Sequence, residues 1–258
     1  MQKLSVVLAT FNEEKNLPAC LDSVKNLADE IVVADGTSTD KTVEIARRYG
    51  AKVIVTENLP NFHINKQKAI DLATKDWILQ LDADERVSEE LRNEITSKIK
   101  KRDDIKENGF WIPRKNWFLG RFLMKGGQYP DYMLRLYKRG KGRLPQKDVH
   151  EQAEVEGPIG HISGPLLHYP YRNFSSYINK WNRYNALLAQ KIKENLKNKD
   201  LIGKIIHAAG YLIIKPLHWF LTSYFRHKGF MDYWDGFVFS FFSALRFPIS
   251  YLKYIINK

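Results

Sequence analysis

Cysteine is almost missing from these 258 residues. Cys20 stands alone, which excludes an intramolecular disulfide and fits a reducing compartment. Acidic residues are scarce in one region. From residue 170 onward there are 14 Lys and Arg against 4 Asp and Glu, a net of +10. Residues 1–169 carry 27 against 25, a net of +2. The formal charge of +12 therefore belongs to the C-terminal third, where aromatic residues also concentrate. Basic plus aromatic composition points to nucleic acid or to an anionic lipid surface. No RNP-like, zinc or helix-turn-helix signature is present, so nucleic acid is not expected as a partner. A basic binding module without catalysis stays open as an alternative. Internal repeats and low-complexity tracts are also lacking. The first residues, MQKLSVVLATFNEE, hold no long apolar stretch or small-residue cleavage site, and are read as a first strand rather than a signal peptide. The 44% hydrophobic and 27% charged content is that of a folded chain.

Strand and helix patterns alternate over the first hundred residues. Short apolar runs at 4–9, 30–34, 52–56 and 77–81 read as strands. Leu17, Cys20, Leu21, Val24 and Leu27 recur at helical spacing, which makes Cys20 a core residue. Further helices are expected over 42–49, with N-cap candidates among 36–40, over 64–74, and after the Ser88 cap. Such alternation implies a parallel sheet covered on both faces. Ligands then bind beyond the carboxyl ends of the strands. The residues there are Thr10, Phe11, Asn12 and Glu13, then Asp35, then Asp82, Ala83, Asp84 and Glu85. After Lys100 strands are expected over 110–114, 132–137 and 166–169, followed by polar-basic helix from 173 to about 204.

Asp82-x-Asp84 directly follows a buried-type strand. A departing nucleotide diphosphate gathers negative charge on its phosphate oxygens, and a divalent cation held by carboxylates can neutralise it. Asp35 also ends a strand and could accept a hydrogen bond from a base N–H. The same Asp-x-Asp pattern serves phosphatases of the haloacid-dehalogenase type, but on an early strand with the first Asp as nucleophile. Here it follows the fourth strand.

Three motifs in order, Leu-Ala-Thr-Phe-Asn-Glu-Glu, Ile-Val-Val-Ala-Asp-Gly-Thr-Ser-Thr-Asp-Lys-Thr and Asp-Trp-Ile-Leu-Gln-Leu-Asp-Ala-Asp-Glu, resemble glycosyltransferase family 2. Within it they are most similar to lipopolysaccharide-core transferases that add glucose to heptose. Gln67-Lys68, Val149-His150-Glu151 and Lys228-Gly229-Phe230 with Asp235-Gly236-Phe237 share that resemblance. The resemblance implies the GT-A fold: a Rossmann-like mixed α/β sheet with helices on both faces. The expected organisation is a nucleotide-sugar-binding half over 1–105, an acceptor-binding half over 106–172 and a C-terminal helical, membrane-associating region over 173–258. It further implies an inverting transfer of a hexose, glucose in the nearest group, from a UDP-sugar to a lipid-linked saccharide such as the lipopolysaccharide inner core. A capsule or polyprenol-linked glycan is the alternative acceptor. Mg or Mn is the implied cofactor.

By the same resemblance Thr10, Phe11, Glu13, Asp35, Lys68, Asp82, Ala83 and Asp84 contact the nucleotide sugar. Phe11 stacks on uracil, Asp35 recognises the base, and Asp82 and Asp84 fall at the ribose and metal positions. Lys68 faces the diphosphate. His168 falls near a third metal-ligand position. The family's base is often the Asp of a Glu-Asp pair, and this sequence has none. Glu151 takes that place: in an extended 148–155 it shares a face with Val149, Ala153 and Val155, where apolar neighbours raise a carboxyl's pKa. His150 and Arg172 are candidate acceptor or phosphate contacts.

Two stretches, 205–225 and 236–256, are long enough to span a bilayer, but each carries a mid-segment charge and a proline. A central charge costs roughly 2.5–3.5 kcal/mol. Helices lying in the interface are therefore expected, peripheral on the cytoplasmic face of the inner membrane.

Overall fold

The computed structural model describes residues 1–100, 104–146 and 152–256. They form two compact units, one of 1–115 with 131–168 and one of 116–130 with 169–258.

In the first unit strands and helices follow in the order β1 (Leu4–Thr10), α1 (Leu17–Val24), β2 (Glu30–Asp35), α2 (Thr42–Arg48), β3 (Lys52–Val55), α3 (His63–Leu72), β4 (Trp77–Leu81), β5 (Glu85–Val87) and α4 (Glu89–Ile95). Then come β6 (Gly109–Phe118), whose last residues enter the second unit, and β7 (Arg121–Phe122) within that unit. The chain returns as β8 (Asp131–Lys138), β9 (Gly142–Arg143), β10 (Glu154–Val155), β11 (Ile159–His161) and β12 (Leu166–His168). Sheet order is β3-β2-β1-β4-β8-β6-β12-β5, with β11 also beside β6. The pairs β3–β2, β2–β1 and β1–β4 are parallel, while β8 is antiparallel to both β4 and β6.

Period-two alternation decides what each face buries. Leu4, Val6 and Leu8 of β1, with Leu79 and Leu81 of β4, meet Leu17, Leu21 and Val24 of α1 and Leu91 and Ile95 of α4. Val7, Val32 and Ile78 point the other way, onto Ala69 and Ile70 of α3. Helices therefore cover both faces, and the mixed sheet is that of the GT-A fold. Ser88 caps α4 as expected, its hydroxyl accepting from Leu91 N–H at 3.1 Å. α2 differs: its N-cap position is Lys41, without a side-chain cap. Asp40 instead folds the preceding turn, accepting from Thr42 N–H and from Glu14 N–H.

The second unit is helical: α5 (Phe174–Leu196), α6 (Leu201–Ala209), α7 (Lys215–Phe220) and α8 (Tyr233–Ile256). The helix expected from 173 to 204 is two helices, because Asp200 caps a new one through Gly203 N–H. Segments Gly210–Ile214 and Leu221–Arg226 are π-helical and join α6 and α7 into one helical run. Among the described residues no helix is long and apolar enough to cross a membrane. Asp232, buried, anchors the 116–130 excursion by accepting from Lys125 N–H at 2.7 Å. Gly236 packs so closely on the Gly229 carbonyl that a side chain there would collide with backbone.

Candidate active site

Thr10, Asp35 and Asp82 leave the sheet at one edge. Thr10 pairs with Asp35 in the β1–β2 register, and Leu8 is opposite both Val33 and Leu81. Asp82 therefore emerges one residue below the Thr10–Asp35 level. Two strand spacings, roughly 10 Å, separate the β2 and β4 backbones. The edge is a topological switch point: α1 leads from β1 to β2 on one side, and α3 leads into β4 on the other. Crevices form where strand order reverses in this way.

Asp35 is fully buried. Its carboxylate accepts from Thr10 Oγ1 at 2.9 Å, Ser38 N–H at 2.8 Å and Ser38 Oγ at 2.6 Å. The loop after β2 thus holds the group rigidly. Phe11, next after Thr10, is 44% exposed, so its ring is open to a ligand. Glu13 turns inward to Asn16 Nδ2.

Asp82 is gripped from two sides. Lys66 Nζ of α3 lies 2.5 Å from Oδ1, and an Arg135 nitrogen of β8 lies 2.7 Å from Oδ2. Arg135 also reaches Glu85 at 3.3 Å, and Arg114 of β6 bridges Glu85 and Asp131 at 3.2 and 2.7 Å. Three cations face three carboxylates, so the buried charges balance. Burial on its own pushes the Asp82 carboxyl up, but Arg135 and Lys66 outweigh it and hold the group well below the usual carboxylate range. Burial also lowers the pKa of Lys66, with Asp82 pulling the other way. For Arg135 the carboxylates win against burial, and its pKa is raised. Glu85, 0% exposed, closes the turn by accepting from Asp82 N–H at 2.9 Å.

Asp84, two residues on, has no such clamp. Ala83 between them is buried. β5 runs antiparallel to β12 with Glu85 opposite His168, which brings His168 Nε2 within 3.5 Å of Asp84 Oδ2. Among the described residues no cluster of three His, Cys, Asp or Glu forms a complete metal cage. A carboxylate and an imidazole side by side still fit a divalent ion whose other positions go to phosphate oxygens and water.

Lys68 donates to Thr56 Oγ1 at 2.6 Å, just past β3. Cys20, expected in the core, is fully buried, and its thiol points at the Asp82 carbonyl. Arg172 belongs to the second unit. Glu151 and His150 lie outside the described residues. Lys66, Arg114, Asp131 and Arg135 were not anticipated. Arg135 left one signal: it is a charge inside the apolar strand Met133-Leu-Arg-Leu-Tyr137.

The fold and its acidic edge define a sugar-nucleotide type of transferase architecture. The family described as glycosyl transferase family 2 matches residues 5–144, and the chain belongs to that family. It is 31% identical over 257 residues to the lipopolysaccharide core biosynthesis glycosyltransferase LpsC of Rhizobium meliloti, covering 94% of this chain and 91% of that protein. An uncharacterized glycosyltransferase of Rickettsia typhi is 30% identical over 248 residues, with 92% and 82% covered. Among solved structures, residues 1–349 of TarS from S. aureus align with a TM-score of 0.48 at 18% identity, covering 99% of this chain and 88% of that one. Glucosyl-3-phosphoglycerate synthase from Mycobacterium tuberculosis, solved with Mn2+, UDP and product, aligns with a TM-score of 0.36 at 21% identity, covering 46% and 45%.

Proposed function

We propose that this transferase moves a hexose, glucose in the first instance, from a UDP-sugar to a hydroxyl of a lipid-linked saccharide such as the lipopolysaccharide inner core. The observation that supports this most is the shared edge of β1, β2 and β4, where Asp35 and Asp82 emerge together and Asp84 meets His168. Phe11 stacks on the base and Asp35 accepts its N–H. Asp82, fixed by Lys66 and Arg135, accepts from the ribose. Asp84 and His168 hold a divalent cation, Mg or Mn, which supplies charge neutralisation to the leaving diphosphate. Its two clamps leave Asp82 less free to ligate that cation than Asp84. Glu151 takes the proton from the acceptor hydroxyl as its oxygen bonds to the anomeric carbon. The bond from that carbon to the UDP oxygen breaks, and UDP leaves with the electron pair. The lipopolysaccharide acceptor is supported by the similarity to LpsC, a lipopolysaccharide core biosynthesis glycosyltransferase.

Membrane attachment is the second part of the proposal. In the helical run 201–226 an apolar or small residue recurs every four positions: Leu201, Ile205, Ala209, Ile213, Leu217, Leu221 and Phe225, all exposed. In a regular α-helix a four-residue repeat drifts about 40° per step, so the stripe would wrap around the helix. The two π-helical segments, closed by wider turns, slow the rotation and keep the stripe on one face. Between Asp200 and Asp232 there is no acidic residue, while Lys204, Lys215, Arg226 and Lys228 are present. The face suits the cytoplasmic leaflet of the inner membrane, where each nearby lysine adds about 1 kcal/mol against anionic lipid. Such a position would bring a lipid-linked acceptor and the enzyme into one plane.

The deciding measurement is thermal shift of the purified chain against nucleotide sugars, with and without Mn. Metal-dependent stabilisation by UDP-glucose is expected. Stabilisation by no UDP-sugar, or by a guanosine sugar alone, would overturn the donor assignment.

A further inference from the structure

Inside the helical unit lies a cavity of about 420 Å³. Its lining includes Gln128, His218, Trp219, His227, Ser243 and Arg246. Arg246 sits within α8, and its guanidinium lies 4.8 Å from the ring centres of both Trp219 and Phe247. Two aromatic planes thus fix the fork in place. Its Nε is buried and has no hydrogen-bond partner, and among the described residues no carboxylate pairs with the group. Burial pushes its pKa down, and only the phenols of Tyr211 and Tyr177 act against that. A guanidinium offers five N–H donors, and a partly buried charge left unmatched is costly. The lining holds no Asp or Glu. Every charged or basic group around the space is therefore of one sign or neutral, and the space has room for a ligand.

We propose that this cavity binds a phosphate monoester, with Arg246 as the bidentate anchor and His218, His227, Gln128 and Ser243 supplying further hydrogen bonds. Guanidinium forks match phosphate oxygens in pairs. Three terminal oxygens suit this surplus of donors better than the two of a carboxylate. The volume exceeds that of a bare phosphate, so the group arrives on a larger molecule, either a lipid headgroup or a phosphorylated saccharide. The assignment does not rest on the donor or acceptor of the transfer reaction.

The test is isothermal titration of the full chain with dihexanoyl phosphatidic acid below its micelle concentration and, separately, with mannose 6-phosphate. Ionic strength is held constant, and UDP with magnesium is present throughout to mask any diphosphate site. Saturable binding of at least one ligand is expected, weakened by about tenfold or more in Arg246→Gln, the scale of a lost charged hydrogen-bond pair. Binding of phosphatidic acid alone assigns the lipid source, and binding of the sugar phosphate assigns a free source. His227 is exposed, so His227→Gln keeps the fold and is expected to weaken binding several-fold even if Arg246→Gln fails to fold. Absence of saturable binding by both ligands overturns the site, as does binding that His227→Gln and every folded Arg246 variant leave unchanged.

Discussion

The two units use charge in opposite ways. In the first, cations and carboxylates are buried together, and Lys66, Arg135 and Arg114 each meet an acid within 3.3 Å. In the second, among the described residues, Arg246 lacks an acidic partner and most of the exposed large apolar side chains lie beyond Asp200. A catalytic edge needs groups fixed against one another before substrate arrives, which mutual pairing achieves. A surface meant for lipid or phosphate needs the reverse, unmatched cations and uncovered apolar area. The net of +2 up to residue 169 and +10 beyond it is the composition-level trace of this division.

Several variants would sharpen or break that contrast, and the largest effect is expected from the base. Glu151→Gln should slow transfer by roughly 10²–10⁴-fold while donor binding, read by titration with UDP-glucose, stays put. A collapse of donor affinity instead would remove Glu151 from the role of base. Arg135→Leu leaves Glu85 and Asp82 short of a cation and should cost about 3–5 kcal/mol in urea unfolding, the scale for breaking a buried ion pair from one side. A stability within error of the parent would mean the network is not a structural clamp. Asp84→Ala should lower metal-dependent turnover by about 10²–10³-fold with little change in unfolding midpoint. Full turnover there would end the cation assignment. On the helical side, replacing Ile205, Ile213 and Leu217 together with Ser should reduce co-sedimentation with anionic liposomes by about tenfold or more, a floor set by the loss of just one such side chain, worth about 1.5–3 kcal/mol when fully buried. Unchanged sedimentation would make the stripe an ordinary exposed face. The smallest effect is expected for Phe11→Leu, which keeps apolar area but removes stacking, a loss of about 0.5–1.5 kcal/mol in UDP affinity.

The first hundred residues were legible to within a residue or two because their signals are local. Each strand is a short apolar run, and each ends in a polar residue that the parallel order β2-β1-β4 carries to one edge. Asp35, Asp82 and Asp84 could be picked for that reason. Lys66 and Arg135 could not. Arg135 meets Asp82 only because β8 enters beside β4 in antiparallel register, a pairing between residues 53 apart. α3 gave no warning either, since the face it buries includes His63, Asn65 and Lys66 and lacks an apolar stripe. His168 was anticipated by resemblance, yet its approach to Asp84 depends on β12 pairing with β5, which no local pattern announces. In the C-terminal third the bias toward basic and aromatic residues was plain, while the π-helical turns that align the stripe were invisible to a search for helical periodicity.

Those wide turns make the run 201–226 sensitive to length in a manner unlike its neighbours. Deleting one residue from the α-helical stretch 206–209, with both wide turns kept, would swing everything after it by about 100°. Composition would hardly change, but Leu217, Leu221 and Phe225 would face a different direction from Leu201 and Ile205. Along this segment evolution is free to swap one greasy side chain for another, and far less free to count differently.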